Sequence, residues 1–377
     1  MPALRSIPVY EGLDEEDRTR LLADISAAYT RAAAVAPSLD EDDTDADPTT
    51  EPDINFLREV PELSKLLGID PAVYRQVNAA LKAGKRHLML YGPPGTGKTE
   101  LAQHIAGVLS DGAWRMVTGS ADWSSQDIIG GYQPLGEGKV GFVPGILLQN
   151  FHRPLVIDEL NRCDIDKVLG PLFTVLSGQP TTLPYRTNVA DPTSPAHVIL
   201  PRAKPAAAAH EHAPGDGWRL IATINTVDKA ALYQMSFALA RRFGWIFVDA
   251  PRDQRSFLTE FLVREHLADA EPAADAPLPL ATVWAAVNEV RVIGAAPIID
   301  AAKTIYSSGD AFDFASTPTL PKQQQAYMDA FSLYLLPMLD GISRQEASGI
   351  ASKVSIALAL PESERGELER RLLSIAT

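Results

Sequence analysis

Between residues 87 and 109 the chain changes character three times. An apolar run, His87-Leu88-Met89-Leu90-Tyr91, is followed by Gly92-Pro93-Pro94-Gly95-Thr96-Gly97-Lys98-Thr99 and then by a helical pattern over residues 100–109. A buried strand that feeds a glycine-rich loop and then a helix belongs to a βα unit of a parallel sheet. The loop also has a chemistry of its own. Its glycines let successive backbone N–H groups curve inward without a Cβ clash. The N-terminus of the following helix adds partial positive charge. Lys98 adds a full charge for β- and γ-phosphates, and the Thr99 hydroxyl is a ligand that suits Mg²⁺. Donors that converge in this way fit a triphosphate.

Four further apolar runs read as buried strands: residues 114–118, 155–157, 220–224 and 245–248. With intervening helical stretches they predict an α/β fold, an αβα sandwich on a five-stranded parallel sheet. The sequence divides into four parts. Residues 1–37 form a small helical segment, with Leu21, Leu22, Ile25 and Tyr29 at helical spacing. Residues 38–53, which include Asp40-Glu41-Asp42-Asp43, are an acidic linker too poor in apolar groups to fold. Residues 54–250 are the α/β core, and 251–377 a helical domain, with helices expected over 281–292, 301–307, 323–336 and 344–358. Two stretches interrupt the core and read as hairpins with loops: the glycine-rich residues 122–144, and residues 181–217, with short strands at 181–185 and 197–200.

Leu155-Val156-Ile157 ends in Asp158-Glu159, and packing gives a buried strand no reason to end in two acids. Asp158 fits Mg²⁺, through its water shell. Glu159 reaches one residue further, to polarise an attacking water. Leu220-Ile221-Ala222-Thr223-Ile224 ends at Asn225, a polar group suited to orienting that water. Arg241-Arg242 closes a helical stretch just before the last strand. Cations at a helix C-terminus offset the helix dipole, but a transferred phosphoryl group also needs extra positive charge, which a neighbouring subunit can bring.

These motifs, in this order and spacing, resemble those of AAA+ ATPases with a P-loop NTPase core. The finer pattern resembles the MoxR/McrB-like, dynein-related branch. It is carried by Ser125-Gln126-Asp127-Ile128-Ile129-Gly130-Gly131-Tyr132, Gly141-Phe142-Val143-Pro144-Gly145, Asp158-Glu159-Leu160-Asn161-Arg162, Asn225-Thr226-Val227-Asp228-Lys229 and Ala238-Leu239-Ala240-Arg241-Arg242-Phe243. The resemblance covers about residues 60–300. It implies ATP and Mg²⁺ as cofactors, a C-terminal helical lid, and a ring, usually a hexamer, with nucleotide at subunit interfaces. Residues 122–144 and 181–217 would be the inserts that define the branch. Many MoxR proteins place a sensor-2 arginine in a Gly-Ala-Ser-Pro-Arg element of the lid. Here Gly294-Ala295-Ala296-Pro297-Ile298 puts Ile298 in the arginine's place, so this contact is missing or another cation, such as Arg291, substitutes. The resemblance implies a motor that remodels a protein partner, of the von Willebrand A type for MoxR relatives. The alternative is the motor subunit of an McrBC-like defence system, partnered with an McrC-like nuclease; GTP is the nucleotide of that group.

The net charge of −14 disfavours nonspecific contact with DNA or anionic membrane. A single cysteine, Cys163, excludes an internal disulfide and fits a reducing, cytoplasmic setting. No apolar run is long enough to span a membrane. His210-Glu211-His212 reads as a loop rather than a metal site, and Trp123 and Tyr132 as hairpin anchors or substrate contacts. Deleting residues 1–53 is expected to leave ATP hydrolysis and the melting transition of the remainder nearly intact. Calorimetry and a phosphate-release assay check this, and loss of both would make the N-terminal segment part of the core.

Overall fold

In the computed structural model, residues 58–226, 235–308 and 313–377 are described below. The helical segment and acidic linker expected over residues 1–53 lie outside them, as do Val227, Asp228 and Lys229.

Among the described residues ten strands occur in chain order: β1 His87–Gly92, β2 Arg115–Thr118, β3 Gly130–Gly136, β4 Lys139–Pro144, β5 Leu155–Asp158, β6 Thr181–Arg186, β7 Ala196–Ile199, β8 Glu211–His212, β9 Leu220–Asn225 and β10 Phe243–Phe247. Five of them form a parallel sheet in the order β10-β1-β9-β5-β2. Its central strands are buried on both faces, and side chains alternate between two cores. Leu88, Leu90, Val156, Ile221 and Ile246 face one core, against Val77 and Leu81 of the helix Pro71–Lys82 and Leu101 and Ile105 of the helix Lys98–Ser110. Met89, Leu155, Ile157, Leu220, Ala222 and Ile224 face the other, against Leu147, Val168, Leu172 and Leu239. Period-two alternation into two apolar layers makes this an α/β sandwich.

The first expected insert is the antiparallel hairpin β3–β4. The second is a small three-stranded sheet, β6-β7-β8. Residues 211–212, expected as loop, pair with β7 as a parallel strand. The backbone bonds Val198 N to His210 O and Leu200 N to His212 O, both 2.9 Å, hold them there. A strand of two residues is too short to show periodicity. The two inserts interlock. The Tyr132 ring packs on Tyr185 at 5.1 Å, and its hydroxyl accepts from Arg186 N at 2.6 Å. Phe142 stacks on His197 at 4.3 Å. The His197 and His212 rings bond to each other at 3.1 Å, and burial beside His197 pushes His212 down to about 4, so the pair is neutral at pH 7. Trp123 packs against the core.

After Pro251 the helices Gln254–Arg264, Pro279–Asn288, Ala296–Tyr306, Pro321–Ala330, Arg344–Ala357 and Glu362–Ile375 share one apolar cluster. The helix expected over residues 323–336 is α-helical only to Ala330. A π-turn, Phe331–Leu335, and a 3₁₀ turn, Leu336–Leu339, follow, because Pro337 has no N–H to continue the ladder. Trp284 is fully buried at the centre of this cluster, edge-on to Phe257 at 5.6 Å. Its indole N–H donates to Ile293 O at 3.1 Å, and Asn288 Oδ1 accepts from Ile293 N at 2.9 Å, so the two side chains pin the turn before Gly294. Trp284→Ala is expected to cost about 3–5 kcal/mol, as a truncated buried aromatic does. Denaturant unfolding monitored by circular dichroism reads the loss.

Candidate functional site

The loop over residues 92–98 joins the end of β1 to the helix Lys98–Ser110. Lys98 is buried, and its ammonium donates to Gly92 O at 3.1 Å and Pro93 O at 2.5 Å. Burial lowers its pKa to about 8, against the pull of Glu159, Asp158 and Glu100. The Thr96 hydroxyl bonds Pro93 O at 3.1 Å and steadies the turn.

The ends of β5 and β9 lie beside this loop because the strands are neighbours in the sheet. Asp158 Oδ1 accepts two hydroxyls, Thr99 Oγ1 at 2.7 Å and Thr223 Oγ1 at 2.6 Å. Thr223 also accepts from the backbone N–H of Glu159 at 2.9 Å, so one buried threonine positions both acids. Asn225 Nδ2 donates to Glu159 Oε1, and Arg162 lies 3.7 Å from the other carboxylate oxygen. That ion pair is largely solvated on the arginine side and worth little on its own.

Glu159 has a left-handed backbone, φ +52°, which costs a non-glycine residue about 1 kcal/mol or more. Gly119, at the end of β2, makes the conformation possible. A Cβ at 119 would sit 2.4 Å from Glu159 O. The bond from Gly119 N to Asp158 O at 2.7 Å closes this strand-end turn.

The lid reaches the loop through backbone. Gly294 N donates to Pro94 O at 2.8 Å and Ala296 N to Gly95 O at 3.0 Å. A Cβ on Gly294 would lie 2.2 Å from Gly95 carbonyl atoms, so only glycine allows this approach. The loop, Glu159, Asn225 and lid residues together line a cavity of about 490 Å³.

Of the residues expected at the site, Thr99, Asp158, Glu159 and Asn225 converge beside Lys98. Arg241 and Arg242 do not join them. Phe243 is in register with His87 at the start of β1, whereas the loop follows the end of β1. Five strand residues, about 16 Å, separate the two levels. Arg241 is exposed, and Arg242 donates to Ser177 Oγ at 2.6 Å. Ile298 is fully buried in the lid core, and Arg291 bonds Met338 O at 2.8 Å, so neither lines the cavity. Cys163 is buried and its thiol is pushed up to about 11, which leaves no thiolate at neutral pH.

Sequence reasoning missed Thr223, Gly119 and Gly294. For Thr223 a signal existed: a lone hydroxyl in an otherwise apolar strand needs a buried partner.

Residues 87–243 match the family model of the AAA domain, dynein-related subfamily, and this stretch is an AAA ATPase domain of that kind. No curated protein matches the chain in sequence. Similar solved structures include RuvB from Thermotoga maritima, a Holliday junction branch migration motor, at 17% identity over 85% of this chain and 91% of that chain, with a TM-score of 0.41. NtrX from Brucella abortus, in complex with ATP, is 15% identical over 97% of this chain and 77% of that chain, also with a TM-score of 0.41. Among the described residues no helix is long and apolar enough to cross a membrane.

Thr223→Val keeps the side-chain shape and removes the hydroxyl that holds Asp158 and Glu159. ATP turnover is expected to fall at least about 10-fold, the scale of one lost charge-assisted hydrogen bond. Steady-state phosphate release measures it. An unchanged rate would remove Thr223 from the site.

Proposed function

We propose that this chain, with a dynein-related AAA domain over residues 87–243, is an ATP-driven motor of the MoxR type that works in the cytoplasm as a ring, usually a hexamer, and remodels a protein partner. One observation carries the ring: the acids and the arginines of a hydrolytic site lie at opposite ends of the strands. Arg241 and Arg242 cannot reach the chain's own phosphate loop, so the extra positive charge comes from a neighbouring copy. A head-to-tail contact of this kind closes into a ring.

The loop N–H groups and Lys98 hold the β- and γ-phosphates. Thr99 Oγ1 and Asp158 Oδ1, which converge at 2.7 Å, are hard oxygen donors that fit Mg²⁺. Thr99 as a direct ligand and Asp158 through the water shell would suffice for a metal that takes its other ligands from phosphates and water. When bound, Mg²⁺ supplies charge neutralisation at the phosphates. Glu159 accepts the proton of the attacking water, and Asn225 holds the Glu159 carboxylate and orients that water. An arginine of the next subunit offsets charge on the transferred phosphoryl group. The partner fits the von Willebrand A type of MoxR relatives, in keeping with the acidic charge.

The buried Ile298 favours a second reading, an McrB-like motor partnered with an McrC-like nuclease, because some McrB-like members also lack the lid arginine.

Mixing mutant subunits tests the shared site. Glu159→Gln alone and the double variant Arg241→Ala, Arg242→Ala alone are each expected to hydrolyse at least about 10²-fold more slowly than the parent. Their mixture should regain activity, because some interfaces then join an intact Glu159 to intact arginines. Specific activity should also rise with protein concentration. A fully active monomer, or no regain on mixing, overturns the reading.

A further inference from the structure

The cavity beside the phosphate loop is also lined by lid residues and by the segment before the helix Pro71–Lys82. Leu66, Leu67, Phe261 and Ile299 give it apolar walls, and Glu265 and Lys303 stand among them as charged groups. Glu265 caps the helix Gln254–Arg264, and Lys303 lies in the last turn of the helix Ala296–Tyr306. Lys303 Nζ and Glu265 Oε2 are 4.0 Å apart, and both side chains are about half exposed. Lys303 follows Ile299 by four residues, so both sit on the helix face that lines the cavity.

Two lid arginines are engaged elsewhere, and Lys65 also lines the cavity. Arg264 donates to Ser64 O at 2.7 Å and to Lys65 O at 3.3 Å. Arg291 is bonded to Met338 O. Lys303 stands seven residues along its helix from Ala296, whose N–H touches the loop at Gly95. That is about 10 Å of helix rise. A triphosphate held at the loop by its β- and γ-phosphates spans such a distance to its nucleoside, and the pair lines the same cavity as the loop.

We propose that Glu265 and Lys303 read the ribose diol of the bound nucleotide, and so make the site selective for ribonucleotides. This rests on the nucleotide-binding reading above. A carboxylate only accepts hydrogen bonds and an ammonium only donates. A vicinal diol offers both O–H donors and lone pairs to such a pair, and unlike a flat base it suits a half-exposed rim. The apolar walls take the base. In this chain the lid holds the nucleotide at the sugar, while the position of a sensor-2 arginine is given to packing by Ile298.

Calorimetry with Mg²⁺ tests this on the full chain with three probes: ATP, 2′,3′-dideoxy-ATP and inorganic tripolyphosphate. The parent should bind ATP about 10-fold tighter than the dideoxy analogue, the scale of a charge-assisted hydrogen bond. In Glu265→Ala and in Lys303→Ala, ATP should bind only as well as the dideoxy analogue, with tripolyphosphate affinity unchanged. Glu265→Gln keeps the side-chain volume and should lose much of the same preference, so a folding defect in the alanine variant would not hide the result. Equal affinity of the parent for ATP and the dideoxy analogue overturns the ribose contact, as does a preference that survives in the variants. A parent that binds neither ATP nor tripolyphosphate overturns the nucleotide reading itself.

Discussion

A single carboxylate oxygen ties the site together. Asp158 Oδ1 accepts from Thr99, on the helix that follows the phosphate loop, and from Thr223, in the middle of β9. Asp158 therefore joins three elements that the sheet order makes neighbours, β5, β9 and the helix after β1. Two hydroxyl donors replace water that this half-buried carboxylate loses on folding. The same arrangement sets Glu159. Its backbone N–H is held by Thr223, its carbonyl packs on Gly119, and its carboxylate is bonded by Asn225. Three contacts, two from β9 and one from the residue after β2, over-determine a strained residue, which is how such strain persists in a folded chain.

The second constraint is the closeness of lid and loop. Two backbone hydrogen bonds join Gly294 and Ala296 to Pro94 and Gly95, with no side chain between. Their geometry depends on Trp284 and Asn288, which grip Ile293 from within the lid core. Packing in the helical cluster is thereby coupled to the carbonyls of the phosphate loop through a path of three residues. Lys98 bonds the two preceding carbonyls of the same loop, those of Gly92 and Pro93.

Much of the fold was legible because its signals are local. Apolar runs of three to five residues mark each strand of the parallel sheet, and the phosphate loop, the acidic pair and Asn225 each sit where one of them ends. What stayed hidden depends on contacts between distant residues. Thr223 acquires its role only once β9 lies beside β5. Gly119 and Gly294 matter for the space a Cβ would fill, and spacing carries no trace of that. The helix Glu362–Ile375 was missed because only Leu368 and Leu372 of its residues are buried, too few for a visible apolar stripe. The helix Pro71–Lys82 was missed although Asp70 and Pro71 form a standard start, with the Asp70 side chain accepting from Ala72 N.

The two inserts show how much independence the core allows. Their contacts with each other are aromatic and imidazole rings at 4.3–5.4 Å, drawn from β3, β4, β6, β7 and β8. These rings bury area at little entropic cost, since each has only two rotatable side-chain bonds. The Tyr132 hydroxyl, bonded to the Arg186 N–H, is consumed in that joint. Tyr132 therefore serves as an anchor, and the solvent-facing apolar groups of the hairpin are Leu135 and Val140 beside its turn. Rigid packing at the base with apolar side chains at the tip divides the hairpin into a part that fixes its direction and a part free to touch something else. The first part depends on neutral His197 and His212, because two imidazolium rings with nitrogens 3.1 Å apart would repel and lose their shared proton bond.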